Sequence, residues 1–218
     1  MRLFSADDLI ACYHRGVFPM AESRDDEGVF LVDPHLRCVF PLKAFHVPRR
    51  LARTLRSEKF SFTTDTDFEA VLDLCAAPAA GREDTWINPD IRTLYIELHA
   101  RGFAHSVETR LDGRLVGGLY GVSVGGAFFG ESMFSRETDA SKAALVHLVA
   151  RLITGGYDLL DAQFTTPHLE QFGAQTLPRG VFHALLGAAL LREAAFSAMP
   201  DHISGADLVR ISQGLEHI

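Results

Sequence analysis

Residues 117–145 read GGLYGVSVGGAFFGESMFSRETDASKAAL. The first part suits a glycine-rich strand, and Gly125-Gly126 turns the chain into Ala127-Phe128-Phe129, so a hairpin is predicted. Asp139 reads as the cap of a long helix over residues 140–154, which Gly155-Gly156 ends. Upstream, residues 105–111 alternate as a strand does, and Asp112-Gly113 supplies a tight turn into residues 114–124. Downstream, residues 157–164 read as a buried strand, and a last helix is expected over about 179–194. Helical and strand patterns alternate, which favours an α/β (α+β) chain over an all-α or all-β one.

The segment before this block has a different texture. Ser5 can cap a short helix, with Asp8 at the capping-box position and Gly16 as its stop. Residues 28–45 hold apolar stretches broken by Pro34 and Pro41, which fit short edge strands or extended chain. Residues 43–59 then carry six basic side chains against one acid, Glu58, before Asp65, Asp67, Glu69 and Asp73 reverse the sign. That reversal places a boundary near residue 60, with a small N-terminal α/β domain at 1–60 and the main domain at 61–218. Further on, Asn88-Pro89 is a good helix start and Gly102 a good stop.

Composition bounds the function. With 218 residues, 47% hydrophobic and 22% charged, the chain has the make-up of a globular protein with a real core, not of a disordered one. Lys and Arg number 21 against 28 Asp and Glu, a net charge of −7 that argues against coating nucleic acid by bulk charge. A local basic face is left open. The start, Met1 to Asp8, turns acidic before any signal-like apolar run, and no window reaches the ~20 apolar residues of a membrane span. Three scattered cysteines make no C-x-x-C pair, and ten histidines make no ligand cluster. A cytoplasmic protein with no metal, no cofactor and no membrane partner is expected.

Several residues bear chemistry, each with a plainer reading beside it. Glycines inside a strand mark bulges or close approach of another backbone or a ligand. A dinucleotide site is disfavoured, because the spacing is wrong and no helix follows the glycines. Glu131 stands in an aromatic run, so it is either a structural carboxylate with a buried partner or one that holds a ligand's ammonium or hydroxyl. Asp161 and Gln163 lie two apart on a buried strand, which puts both on one face, as a core polar network or as a site. Trp86, the one tryptophan, is either core or a stacking platform for a base. No G-x-S-x-G or reactive cysteine supports a nucleophilic triad.

Taken together, the blocks GGLYG, GESMFS and ASKAAL closely resemble the signature of bacterial leucyl/phenylalanyl-tRNA–protein transferases. Gly16-Val17-Phe18-Pro19, Thr85-Trp86-Ile87, Ala104-His105-Ser106-Val107-Glu108, Leu160-Asp161-Ala162-Gln163 and His168-Leu169 fall around them in family order. The resemblance implies a small N-terminal domain joined to a domain resembling the acetyltransferase (GNAT-like) fold. It implies an aminoacyltransferase that moves Leu or Phe, with Met as a further donor, from aminoacyl-tRNA to the N-terminal Arg or Lys of proteins. Such products are marked for N-end-rule degradation, and the enzyme is expected to be a monomer. By the same resemblance Asp161 orients Gln163, whose carbonyl accepts a hydrogen bond from the attacking amine, while Glu131 binds the aminoacyl-adenosine end and Trp86 lies beside its base. Met133, Leu148, Leu152 and Leu160 would wall the pocket for the donor side chain. Arg49, Arg50, Arg53, Arg56 and Lys59 would grip the tRNA. Where the family often has Trp-Trp-Ser-Pro-Asp-Pro-Arg, this chain has Leu31-Val32-Asp33-Pro34-His35-Leu36-Arg37, so stacking by those tryptophans is lost. The alternatives are an acyltransferase of the same fold using another donor, such as coenzyme A, and a non-catalytic tRNA-binding protein.

Overall fold

Local chemistry sets the first helix, α1 (Ala6–His14). Ser5 Oγ accepts from the Asp8 amide, Asp8 answers to the Ser5 amide, and Gly16 follows in the left-handed region at φ +76°. Beyond it run β1 (Phe18–Met20), β2 (Phe30–Val32), β3 (Leu36–Phe40), α2 (Arg49–Arg56), β4 (Ser61–Thr64), α3 (Phe68–Ala76) and α4 (Pro89–Ala100). The remainder is β5 (Ala104–Leu111), β6 (Arg114–Val124), β7 (Ala127–Ser135), α5 (Ala140–Thr154), β8 (Leu159–Gln163), α6 (Pro167–Glu170), β9 (Gln175–Pro178), α7 (Arg179–Ala189) and α8 (Gly205–Ser212). This is a computed structural model that describes residues 4–26, 28–78, 83–200 and 202–215; Met1–Leu3, part of the stretch read for a leader, lie outside them.

The expected hairpin of β5 and β6 forms, and Asp112 and Gly113 turn it with φ of 50° and 76°. Asp139 sits at the cap position of α5, but at φ 69° its side chain caps no amide. It holds Lys142 Nζ at 3.0 Å instead, and Ser135 Oγ accepts from the Ser141 amide at 3.2 Å. The last expected helix is shorter than read, since α7 ends at Ala189.

Seven strands form one sheet in the order β4-β5-β6-β7-β8-β3-β9, while β1 and β2 pair separately. Neighbours are antiparallel except β7 and β8, which run parallel and are joined through α5. One core layer is made with α1, α3, α4 and α7, and a second with α2 and α5. Side chains alternate between them: Phe129 belongs to the first and Phe128 to the second. β3 lies between β8 and β9, and α2 packs on α8 and α5, so the main body takes in chain well before the expected boundary at residue 60.

Two bulges shape the centre of the sheet. Tyr120 pairs with Ser132 while Gly121 pairs with Gly130, which leaves Glu131 as the extra residue of β7. Cys38 pairs with Gln163 while Val39 pairs with Asp161, which leaves Ala162 extra on β8. The last parallel pair between β7 and β8 is Phe129 with Asp161. Beyond it the two strands part, each bearing a bulge, and such irregularities re-aim side chains.

The glycines of the GGLYG block are explained by packing. A Cβ on Gly117 would lie 2.6 Å from Ala140 Cβ at the start of α5, and one on Gly121 would lie 2.2 Å from the Phe129 carbonyl oxygen. Gly121→Ala is therefore expected to lower the midpoint of thermal unfolding by about 2–12 °C, the consequence of about 1–3 kcal/mol of overpacking in a chain of this size. Thermal denaturation followed by circular dichroism checks it.

Candidate active site

The parting of β7 and β8 opens a cavity of about 420 Å³. Gly130, Glu131, Ser132 and Met133 of β7 line one side, and Leu160, Asp161, Ala162 and Gln163 of β8 line the other. Leu145 and Leu148 of α5 and Leu169 close it from the second core layer, Met20 and Trp86 from the first, and Pro19 also lines it. A mostly apolar hollow with a few convergent polar groups is the usual form of a small-ligand site.

Asp161 is wholly buried and meets Arg37 of β3 in a two-pronged pair, Nε to Oδ1 at 2.9 Å and Nη2 to Oδ2 at 2.6 Å. Arg37 is buried as completely. Its Nη1 donates to the Gly16 carbonyl at 2.8 Å, and its guanidinium lies between the rings of Phe18 and Phe182, 4.6 and 4.3 Å from their centroids. Burial pushes the Asp161 carboxyl up, and the Arg37 hydrogen bonds pull against it.

Asp161 Oδ1 also accepts from the Gln163 backbone amide at 2.9 Å. The bulge breaks the simple two-residue alternation, so the pair is joined through backbone and not side chain to side chain. Gln163 has φ +62°, a left-handed conformation that costs a side-chain-bearing residue of this kind of order 1–3 kcal/mol. The Phe164 amide closes a tight turn around it onto the Ala162 carbonyl at 2.6 Å. Asp161 thus holds the backbone that aims Gln163.

Gln163 Nε2 donates to Glu131 Oε1 at 3.1 Å. A carboxylate only accepts, so this contact fixes the amide's orientation and leaves its oxygen for another partner. Tyr13 donates to Glu131 Oε1 at 2.7 Å and Tyr95 to Oε2 at 3.0 Å, and the two hydroxyls stand 2.7 Å apart. Glu131 keeps part of its surface open, and it lines the cavity. Burial pushes its carboxyl up to about 7 despite those three hydrogen bonds.

Of the pocket residues expected from sequence, Met133, Leu148 and Leu160 line the cavity. Leu152 does not: one turn further along α5, it is fully buried in the second core layer. Trp86 is in the lining, its ring edge-on to Tyr95 at 6.4 Å. Leu31 and Val32 are not in the lining; they back Pro19 and Phe18 across the small sheet. Arg49, Arg50, Arg53, Arg56 and Lys59 are all exposed, away from the cavity, on and just after α2. Arg50 Nε reaches to 3.9 Å from Asp139 at the start of α5.

Sequence reading gave no role to Arg37 or His168, which it named only within family blocks, and did not single out Tyr13 or Tyr95. The tyrosines sit at apolar-face positions of α1 and α4, where they read as core. His168 lines the cavity, with its Nε2 buried and without a hydrogen-bond partner among the described residues. Burial lowers its pKa, so the ring is neutral at pH 7. Among the described residues no group of histidines, cysteines and carboxylates is arranged to hold a metal ion.

Removing one partner of a buried ion pair leaves an uncompensated charge, at a cost of about 3–5 kcal/mol. Arg37→Met is expected to lose stability on that scale, and adding Asp161→Asn is expected to recover most of it. Urea unfolding of the two variants measures both.

Comparison with known proteins places the chain in a family. The family model described as leucyl/phenylalanyl-tRNA protein transferase matches residues 39–187, and that of the family's N-terminal domain matches residues 2–35. A leucyl/phenylalanyl-tRNA–protein transferase from Phenylobacterium zucineum is 60% identical over 95% of this chain and 94% of its own length. Transferases of the same name from Maricaulis maris and Caulobacter vibrioides are each 57% identical over 96% of this chain and 97% of theirs. With both models matched and such relatives covered almost end to end, the chain belongs to the leucyl/phenylalanyl-tRNA–protein transferase family.

Proposed function

We propose that this protein transfers Leu or Phe, with Met as a further donor, from aminoacyl-tRNA to the N-terminal Arg or Lys of an acceptor protein, which marks that protein for N-end-rule degradation. The observation that carries this reading is the cavity at the parted strands: an apolar pocket beside a fixed glutamine amide and a carboxylate. The donor side chain enters between Met133, Leu148 and Leu160, and its burial contributes about 1.5–3 kcal/mol. Neighbouring apolar side chains differ by about 1–3 kcal/mol in such a pocket, so selection among Leu, Phe and Met is loose. Trp86 lies beside the terminal base and Glu131 beside the aminoacyl-adenosine end.

An aminoacyl ester is already activated, so the chain needs chiefly to align it with a neutral amine, an effect worth up to roughly 7–11 kcal/mol. The Gln163 amide oxygen, left free by the Nε2 contact with Glu131, accepts a hydrogen bond from the attacking amine. Asp161, itself held by Arg37, keeps Gln163 in place. The chemistry invoked needs no cofactor. The four arginines of α2 and Lys59 hold the tRNA, and Arg50 brings that face next to the start of α5, whose later turns carry Leu145 and Leu148. No helix of the described residues is long and apolar enough to cross a membrane, and we take the protein to act as a monomer in the cytoplasm.

Transfer of radiolabelled leucine from charged tRNA to a peptide beginning with arginine tests the reading. Gln163→Ala is expected to fold and to transfer about 10²-fold more slowly, as misplacement of a reacting group does. No transfer of leucine, phenylalanine or methionine by the wild type would overturn the function; a wild-type rate in Gln163→Ala would remove that residue from the mechanism. Binding of tRNA is expected to weaken steeply with salt and to weaken further, with a shallower salt slope, when Arg49, Arg50 and Arg53 are neutralised. Filter binding across a salt series shows whether it does.

A further inference from the structure

Glu131, Tyr13 and Tyr95 close a ring of three short oxygen–oxygen contacts, 2.7 Å, 2.7 Å and 3.0 Å. With Glu131 ionised, two hydroxyl protons serve three contacts, and one contact is left without a donor. A third proton, placed on Glu131, gives every contact its own. Burial holds both phenols far above their ordinary range, so the tyrosines keep their protons, and any proton gained or lost by the ring is carried at Glu131.

The surroundings of Glu131 favour the same exchange. It is the extra residue of the β7 bulge, aimed out of the ladder and lining the cavity. Facing it are Tyr13 of α1, Tyr95 of α4 with Tyr120 of β6 edge-on behind it, and Gln163 of β8. Asp161 adds a nearby negative charge, but that charge is matched by Arg37, whereas no cation pairs with Glu131 among the described residues. Two carboxylates therefore flank Gln163, one fixed by a guanidinium and one free to change its protonation, a contrast that assigns acid–base roles. Of roughly four acceptor positions on a carboxylate, Tyr13 and Gln163 fill two on Oε1 and Tyr95 fills one on Oε2, so one remains.

We propose that Glu131 is the proton acceptor of the transfer reaction, taking one proton from the α-ammonium of the incoming N-terminus into the ring it forms with Tyr13 and Tyr95. This rests on the aminoacyl-transfer reading of the cavity. The amide oxygen of Gln163 is far too weak a base for the task and only orients the amine. The ammonium N–H bond breaks, its proton passes to Glu131 Oε2, and the freed lone pair attacks the ester carbonyl carbon. As the bond from that carbon to the ribose oxygen breaks, the nitrogen's second proton goes to that oxygen and the amide is complete. Glu131 then returns its proton to solvent.

Single-turnover transfer to an arginine-first peptide, measured from pH 6 to pH 9.5 for the wild type and Glu131→Gln, tests this, with donor hydrolysis subtracted. The variant is expected to be about 10²-fold slower at pH 7, within the usual span for a lost general base. The deficit is expected to shrink below ~5-fold by pH 9, because a terminal amine with an ordinary pKa of about 8 is then already neutral. Infrared difference spectra of the wild type should also show a protonated-carboxyl band that fades as pH rises through neutrality and is missing from the variant. A deficit of the same size at every pH, or no such band, would make Glu131 a binding group only and overturn the proposal. Absence of transfer by the wild type at every pH would overturn the aminoacyl-transfer reading together with it.

Discussion

Arg37 and Asp161 meet where water is excluded, and the site depends on what that pair holds still. Moving two charges out of water costs several kcal/mol each, which only good geometry and further hydrogen bonds recover. Here the geometry is two-pronged, the remaining guanidinium nitrogen reaches a backbone carbonyl, and two aromatic rings cover the faces of the cation. Arg37, on β3, is held by three other parts of the chain: Gly16 and Phe18 near the N-terminus, Asp161 on β8 and Phe182 on α7. The N-terminal segment is therefore part of what positions Gln163, and not an appendage to the site.

Beside that anchor lies the cavity. The β7–β8 pairing ends at Phe129 and Asp161, and just beyond it each strand carries an extra residue against its other neighbour, β6 and β3. The opening joins an apolar end, suited to a donor side chain, to a polar end where Glu131 and Gln163 converge. The left-handed backbone at Gln163 is the strained element of this arrangement. Strain at a residue with a proposed role is reasonable where the neighbouring structure over-determines it, as Asp161 and the tight turn at Phe164 do here. An already activated ester asks for alignment more than for chemical power, and a rigid glutamine suits that demand.

Much of the fold was legible in the sequence because local chemistry decides it. Ser5 with Asp8, Asn88 with Pro89 and Asp112 with Gly113 each form the cap or turn that their side chains favour. What escaped the reading depends on pairing between distant segments. Pro34 and Pro41 flank β3, so it read as edge chain, yet it lies inside the main sheet between β8 and β9. A bulge has no sequence signature of its own, so the alternation that put Asp161 and Gln163 on one face missed the extra residue Ala162. Glu131, Gln163, Trp86, Met133, Leu148 and Leu160, named from the sequence, all line one cavity. Leu152 shares the helix of Leu148 but lies a turn past the opening. Arg37 and the two tyrosines were passed over because an arginine beside a proline-rich run reads as surface, and a tyrosine on an apolar helix face reads as core.

The placement of the donor in this cavity is tested most directly by a diffraction structure with a non-hydrolysable, amide-linked phenylalanyl-adenosine bound. The phenyl ring is expected between Met133, Leu148 and Leu160, and the aminoacyl carbonyl carbon beside Gln163, with the Arg37–Asp161 pair intact. A ligand seated elsewhere, or a phenyl group outside that pocket with Gln163 turned away from the carbonyl, would contradict it.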